Sequence, residues 1–247
     1  LHYTDYDLTE EETRWLEGVE YMRKFNLTDT EYEINHALAE GKNVLAEGAQ
    51  GSLLDIDHGT YPYVSSSSTT SGGVCTGLGI APNAIGHVFG IFKAYSTRVG
   101  GGPFPVELFD ETGDTIRHIG NEYGAVTGRN RRCGWLDLVA LKYAIMINGV
   151  TDLVMMKGDV LDGFDTIKVC TAYTKDGETI TEMPYDTEGW QPVYEELPGW
   201  KADITGVRAE KDFPQAFADY IAYIEKATDT PIKIVSVGPD REATIIR

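Results

Sequence analysis

"LDLVALKYAIMINGVTDLVMMKGD", residues 136–159, carries the fold in one run. Its first half is an apolar stretch of helical length that stops at Gly149, the residue best able to leave a helix through a left-handed turn. "DLVMMKGD" is too short for another helix and reads as a buried strand that leaves at Gly158. A helix feeding a strand is the unit from which α/β sheets are wound.

The alternation continues outward from there. Towards the amino terminus, Pro82 is expected to open a helix with Ile85, Val88, Phe89 and Phe92 as its buried stripe. "NVLAEGAQG", residues 43–51, is expected to be a short buried strand ending in a glycine turn, where open α/β sheets put their ligand loops. Thr9 followed by Glu12 has the spacing of a capping box, and Trp15, Val19 and Met22 recur at helical spacing, so a helix is expected over residues 10–25. A second spans residues 31–40, with Ile34 and Leu38 on one face and Gly41 as the stop. Towards the carboxy terminus, two alternating runs flank Asp176-Gly177, the signature of a tight hairpin over residues 166–183. "FPQAFADYIAYIEKA" reads as a last helix and "PIKIVSVG" as a last strand. The sum is an α/β protein with a mostly parallel sheet flanked by helices, in one domain spanning residues 1–247.

Composition narrows the function. The chain has 247 residues, 42% of them hydrophobic, enough for a core of its own. A formal net charge of -18 argues against a general nucleic-acid binder, because phosphate backbones are held by spread-out cations. Three cysteines without CxxC spacing fit a reducing compartment and supply neither a disulfide framework nor a zinc site. No apolar run has membrane-spanning length and no signal pattern opens the chain, so a cytoplasmic protein without a membrane or nucleic-acid partner is expected.

Against that acidity, "GAVTGRNRRCGWLD" places Arg129, Arg131 and Arg132 close together behind small residues. Arginine presents a planar fork of donors, and two of them at i and i+2 on an extended loop grip separate oxygens of carboxylates or phosphates. Surface ion pairing with the protein's own carboxylates is an equally weighted reading. In "MKGD", Asp159 can accept from N1–H and the exocyclic amine of guanine, whereas adenine opposes it with an acceptor, and the stem of Lys157 can lie along a purine face. A solvated turn is the plainer alternative. In "GAQGSLLDIDHGTYPYVSSSSTTSGG", Asp55, Asp57 and His58 are readable as metal ligands, which would make a metal-dependent phosphohydrolase. The same stretch is also readable as a flexible linker, or as hydroxyl and amide donors to a nucleotide. "RVGGGPFP" around Arg98 is a tight glycine loop without a dinucleotide fingerprint.

These segments, together with "SVGPDREATI", follow one another in the order and about the spacing of adenylosuccinate synthetases, and the resemblance covers nearly all of the chain from residue 43. The resemblance implies a P-loop-NTPase-like fold and a magnesium-dependent homodimer that uses GTP to join IMP and L-aspartate through a 6-phosphoryl-IMP intermediate. It implies IMP contacts at Gln50, Ser65, Val99 and Arg129, with Ser65 keeping the hydroxyl of a usual threonine. It implies an aspartate loop of Ala125, Val126, Thr127, Gly128, Arg129, Asn130 and Arg131. It implies guanine-nucleotide contacts at Arg131, Lys157, Gly158, Asp159, Ser236, Val237 and Gly238. Val126 and Val106 stand where the family usually has threonine.

The family's catalytic aspartate and histidine, most of its magnesium ligands and its glycine-rich phosphate loop belong to a region with no counterpart here, and no GxxxxGK occurs. The chain thus resembles the carboxy-terminal part of the larger enzyme domain, holds no catalytic or metal-ligating residue of its own, and is expected to be inactive alone. A non-catalytic nucleotide-binding module remains the alternative.

Overall fold

The computed structural model describes residues 7–126 and 128–247. Two helices open it, α1 (Leu8–Met22) and α2 (Thr30–Ala39), followed by the short α3 (Gly72–Leu78). Strands β1 (Phe89–Lys93) and β2 (Ser96–Arg98) precede α4 (Glu111–Ile119), then β3 (Arg132–Gly134), β4 (Leu136–Asp137), α5 (Leu138–Asn148) and β5 (Asp152–Met156). The hairpin β6 (Thr166–Lys175) and β7 (Glu178–Ile180) is followed by β8 (Gln191–Pro198), α6 (Gln215–Thr228), β9 (Ile232–Ser236) and β10 (Thr244–Ile246).

The central sheet has the order β1-β5-β9-β10, with β1, β5 and β9 parallel and β10 antiparallel at the edge. The α/β class and the parallel core are therefore as the sequence implies. A second sheet is built on the long β6, which pairs parallel with β4 and antiparallel with β7 and β8. β2 and β3 form a separate antiparallel pair. Phe217, Tyr220, Ile221 and Ile224 form the buried face of α6, and the Tyr220 hydroxyl donates to the carbonyl of Ala94 just past β1 at 2.7 Å. This face joins Leu153, Met155, Ile232 and Val235 of the sheet in the main core.

The elements on either side of Gly149 form as read. The Asp137 side chain accepts from the N–H of Ala140 to cap α5, and Gly149 ends it in the left-handed region. Asp176 and Gly177 both take positive φ at the hairpin.

Three expectations need correction. Residues 82–92 do not form a helix: a single 3-10 turn, Pro82–Ala84, leads into β1, which runs in register along β5. The two glycines, Gly86 and Gly90, weaken a helix, the β-branched and aromatic Val88, Phe89, Ile91 and Phe92 suit a strand, and the helical spacing of the apolar residues is coincidental. Residues 43–51 form no strand and lie exposed, because no strand among the described residues runs beside them to complete a ladder. The cap of α1 is Asp7, whose carboxylate accepts from Thr9 and Glu10, rather than Thr9. Helix α4 and strand β8 were not anticipated.

Candidate functional site

Because β1, β5 and β9 are parallel, their carboxy-terminal ends share one edge, the usual ligand crevice of such sheets. Lys93 ends β1. Lys157, in the left-handed region, turns the chain out of β5 into the 3-10 turn Gly158–Leu161, which packs against β9. Ser236 ends β9, with its hydroxyl donating to the carbonyl of Gly238 at 2.9 Å, and Val237 is fully buried. The residues read as guanine contacts thus lie at neighbouring strand ends.

Between these ends and the arginine loop stands a carboxylate that the sequence reading passed over. Glu122 follows α4 and is fully buried. Its Oε1 accepts from Lys93 Nζ at 2.7 Å, from the Tyr95 hydroxyl at 2.6 Å and from Lys157 Nζ at 2.9 Å, and its Oε2 accepts from Arg131 Nη1 at 2.8 Å. Burial alone pushes such a carboxyl up, but the donors from Lys93, Tyr95 and Lys157 outweigh it and hold the group at about 2. Burial in turn draws the Lys93 ammonium below its usual value, and Glu122 offsets this only in part. Gly120 makes the arrangement possible, since a Cβ there would stand 2.4 Å from the Tyr95 hydroxyl. Lys157 also donates to the Gly120 carbonyl at 2.5 Å, leaving its ammonium tied down and its stem partly exposed.

Two buried side-chain polar atoms among the described residues have no hydrogen-bond partner: Arg131 Nε and Asp159 Oδ1. Both belong to residues read from the sequence as ligand contacts. An unsatisfied buried acceptor costs about 1–3 kcal/mol, so its retention calls for an explanation outside the fold. Burial holds the Asp159 carboxyl above its usual value, which a pair of N–H donors would reverse.

The three arginines separate into different roles. Arg132 is structural: its guanidinium pairs with Glu107 and donates to the carbonyls of Gly100 and Gly102, the latter at 2.7 Å. Arg131 faces Glu122, with its backbone N–H bonded to the Glu122 carbonyl and its own carbonyl accepting from Arg117 Nε. Arg129 lies exposed on the loop, where its carbonyl accepts from the Gly124 N–H. A bridge between Tyr123 and Asn130 closes this loop, and Ala125, Gly128 and Asn130 are exposed along it. Val126 is 97% exposed, and Thr127 lies outside the described residues.

Arg98 links the segments that carry two of the positions read as IMP contacts, Ser65 and Val99. Buried in "RVGGGPFP", Arg98 donates to Thr60 Oγ1 at 3.0 Å, to the Tyr63 carbonyl at 3.2 Å and to the Gly101 carbonyl at 2.9 Å. It thereby ties the loop leading to Ser65 to the loop that begins with the exposed Val99. A side chain at Gly102 would run into both Arg98 and Tyr63. The Ser65 hydroxyl donates to the Leu54 carbonyl at 2.9 Å, and Gln50 is exposed at a positive φ of 68°. Val106 is fully buried against Val139, Cys170 and Tyr173, so its methyl groups serve packing.

The metal reading of Asp55, Asp57 and His58 is overturned. Both Asp55 oxygens are occupied, one by the N–H groups of Asp57 and His58, the other by those of Thr69 and Thr70. Asp55 is a staple for the loop, and no cluster of three potential ligands for a metal occurs among the described residues. The same hydrogen bonds exclude a flexible linker.

A statistical profile described as adenylosuccinate synthetase matches residues 2–245. The chain belongs to the adenylosuccinate synthetase family. It is 63% identical over its whole length to the adenylosuccinate synthetase of Phocaeicola vulgatus, and 63% identical to that of Bacteroides thetaiotaomicron. It spans 58% of the length of each of these relatives. Its fold is similar to a fully ligated adenylosuccinate synthetase from Plasmodium falciparum, with a TM-score of 0.93 and 41% identity, covering 99% of this chain and 59% of that one. A cyanophage S-2L succinoaminodeoxyadenylate synthetase bound to dGMP and dATP shares the fold at a TM-score of 0.56 and 18% identity, covering 92% of this chain and 54% of that one. Membership of the adenylosuccinate synthetase family agrees with the resemblance carried by the motifs. No helix among the described residues is long and apolar enough to cross a membrane.

Glu122, Lys93 and Tyr95 were missed in the sequence. Lys93 was hidden by the expected helix over residues 82–92, and Glu122 stands two positions before the conspicuous loop. A lone Lys-x-Tyr at a strand end would have been the available signal.

Proposed function

We propose that this chain provides the base-recognition and aspartate-holding part of a GTP-dependent ligase that joins IMP and L-aspartate into adenylosuccinate, acting as a cytoplasmic homodimer. Two steps make the product. The γ-phosphoryl group of GTP passes to O6 of IMP, which gives up its N1 proton, and GDP is released; the aspartate amine then attacks C6, displaces phosphate and loses a proton. The unsatisfied Asp159 Oδ1 carries the reading, because a buried acceptor beside a second carboxylate oxygen matches the paired N–H groups of guanine and opposes adenine.

In this reading Lys157 lies along the base, and Gly158, Ser236, Val237 and Gly238 shape its pocket. Arg131 and Arg129 hold the aspartate carboxylates, with Arg131 also reaching GTP, Arg129 reaching IMP, and Ala125 to Asn130 closing over the amino acid. Gln50, Ser65 and Val99 face IMP. Magnesium supports phosphoryl transfer in such chemistry by neutralising charge on the phosphates. Among the described residues no group of three histidine, cysteine or carboxylate side chains gathers to hold it.

The test is an assay of the natural full-length protein containing these residues, with IMP, GTP, magnesium and aspartate. Adenylosuccinate formation that needs all three substrates, with GTP preferred over ATP, is expected. Turnover that proceeds equally well without aspartate, or with ATP, would overturn the reading.

A further inference from the structure

Glu122 has a single negative charge and faces three cations. Its Oε1 is shared among Lys93, Tyr95 and Lys157, so only Oε2 remains for Arg131, which it meets through one nitrogen, Nη1. A carboxylate and an arginine left to themselves tend to pair through two parallel bonds. Here only Nη1 is used, and Nε, on the other edge of the guanidinium, stays buried without a partner. The Arg131 backbone is held on both sides, by the Glu122 carbonyl and by Arg117 Nε, which fixes where its side chain starts relative to Glu122.

We propose that Glu122 is a positioning residue that couples the base-binding and aspartate-binding halves of the site. By spending Oε1 on Lys93, Tyr95 and Lys157, it orients Arg131 end-on and keeps Nε available to a ligand oxygen. The same carboxylate tethers the Lys157 ammonium, which fixes the stem beside Asp159. One buried group thus sets the two cations that face different substrates. Lys93, to which no ligand role is assigned, belongs to this device: it competes with Arg131 for the carboxylate. The inference rests on the proposed ligase function.

The consequences are specific. In Glu122→Gln, the amide presents donors to cations, Arg131 loses its carboxylate partner, Lys157 keeps only the Gly120 carbonyl, and two Michaelis constants change together. Lys93→Met frees part of Oε1, allowing Glu122 to draw the Arg131 guanidinium round from its Nη1 contact to the Nε/Nη2 edge, which takes the carboxylate through two bonds and satisfies Nε internally. The aspartate constant should then rise although no aspartate contact has been altered.

Steady-state kinetics of the natural full-length protein make the test, with wild type, Glu122→Gln, Glu122→Asp and Lys93→Met measured side by side. Expected are rises of roughly tenfold or more in KM for both GTP and aspartate in Glu122→Gln, a smaller rise in Glu122→Asp, and a rise confined to aspartate in Lys93→Met. A merely structural Glu122 would instead lower kcat through loss of folded enzyme and leave both KM values unchanged, and that result overturns the inference. If Glu122→Gln does not fold, Lys93→Met decides: an unchanged aspartate KM overturns the inference. Wild-type turnover of IMP, aspartate and GTP alongside unchanged KM values would sink the inference alone. Absence of wild-type turnover would sink the ligase reading, and the inference with it.

Discussion

Asp55 and Asp159 are both aspartates in glycine-bearing turns, and both have buried carboxylate oxygens, yet they do opposite things. Asp55 accepts four backbone N–H bonds across residues 57–70, which fold its loop around it. Burial pushes its carboxyl up and those four bonds outweigh it, so it stays ionised below the usual range. Asp159 keeps a buried oxygen without any partner and sits above the usual range. A saturated carboxylate is a structural device, whereas an unsatisfied one is poised for something that arrives. Residue type and local spacing are silent on the difference, and the hydrogen-bond inventory decides it.

Mutation should break the pair apart most strongly at Asp55. Asp55→Ala strands four backbone donors and is expected to destabilise the protein by about 3 kcal/mol or more in urea unfolding. Asp159→Ala removes a buried acceptor that makes no bond through Oδ1 and should leave stability unchanged or raise it by up to about 1–3 kcal/mol while impairing nucleotide use. Equal losses of stability would dissolve the contrast.

Glu122 extends the comparison to a carboxylate that serves both ends. Its pKa is lowered from 4.5 to about 2, so its ionised form favours the folded state above pH 4.5, and that contribution is lost as pH falls from 4.5 towards 2. The full contribution is on the order of 3 kcal/mol. The stability gap between wild type and Glu122→Gln should therefore narrow across that window, as followed by urea midpoints at successive pH values. A gap that stays constant to pH 2 would show that the charge of Glu122 is not what holds Lys93, Lys157 and Arg131 together.

Among the arginines, Arg132→Ala should cost about 1–3 kcal/mol of stability through Glu107 and the Gly102 carbonyl. Arg131→Ala and Arg129→Ala should instead raise the aspartate KM or depress turnover by roughly tenfold or more, a loss of about 1.5–3 kcal/mol of ligand contact. Near-wild-type kinetics would return Arg129 to surface charge and Arg131 to a structural partner of Glu122. The smallest effect is expected at Val126, whose exposed side chain touches little: Val126→Thr should lower the aspartate KM by no more than about fivefold, roughly 1 kcal/mol, with unfolding unchanged.

What the sequence made legible follows from how local each signal is. The cap and stop of α5, the strand after it and the Asp176-Gly177 hairpin depend on neighbours within a few residues, and these formed as read. Residues 82–92 carried apolar spacing compatible with both periods, and only pairing with β5 selects the strand. Residues 43–51 offer only the apolar pair Val44 and Leu45 and no partner strand among the described residues, and a short apolar run alone cannot provide one. At the site, Asp159 and Arg131 stood out through guanine chemistry and charge clustering. Glu122, by contrast, acquires its role only when the ends of β1 and β5 meet the segment after α4, a non-local coincidence that no short window contains.

The unsatisfied oxygen of Asp159 is the centre of this account, and its direct test is nucleotide preference. In the natural full-length protein, kcat/KM for GTP and for ATP is measured in wild type and in Asp159→Asn, with IMP and aspartate saturating. Replacing one acceptor oxygen with a donor nitrogen removes the match to the paired N–H groups of guanine, a loss of roughly 1–3 kcal/mol. The GTP-to-ATP ratio should fall by about tenfold or more, driven by the GTP value. A ratio unchanged from wild type would contradict guanine recognition by Asp159.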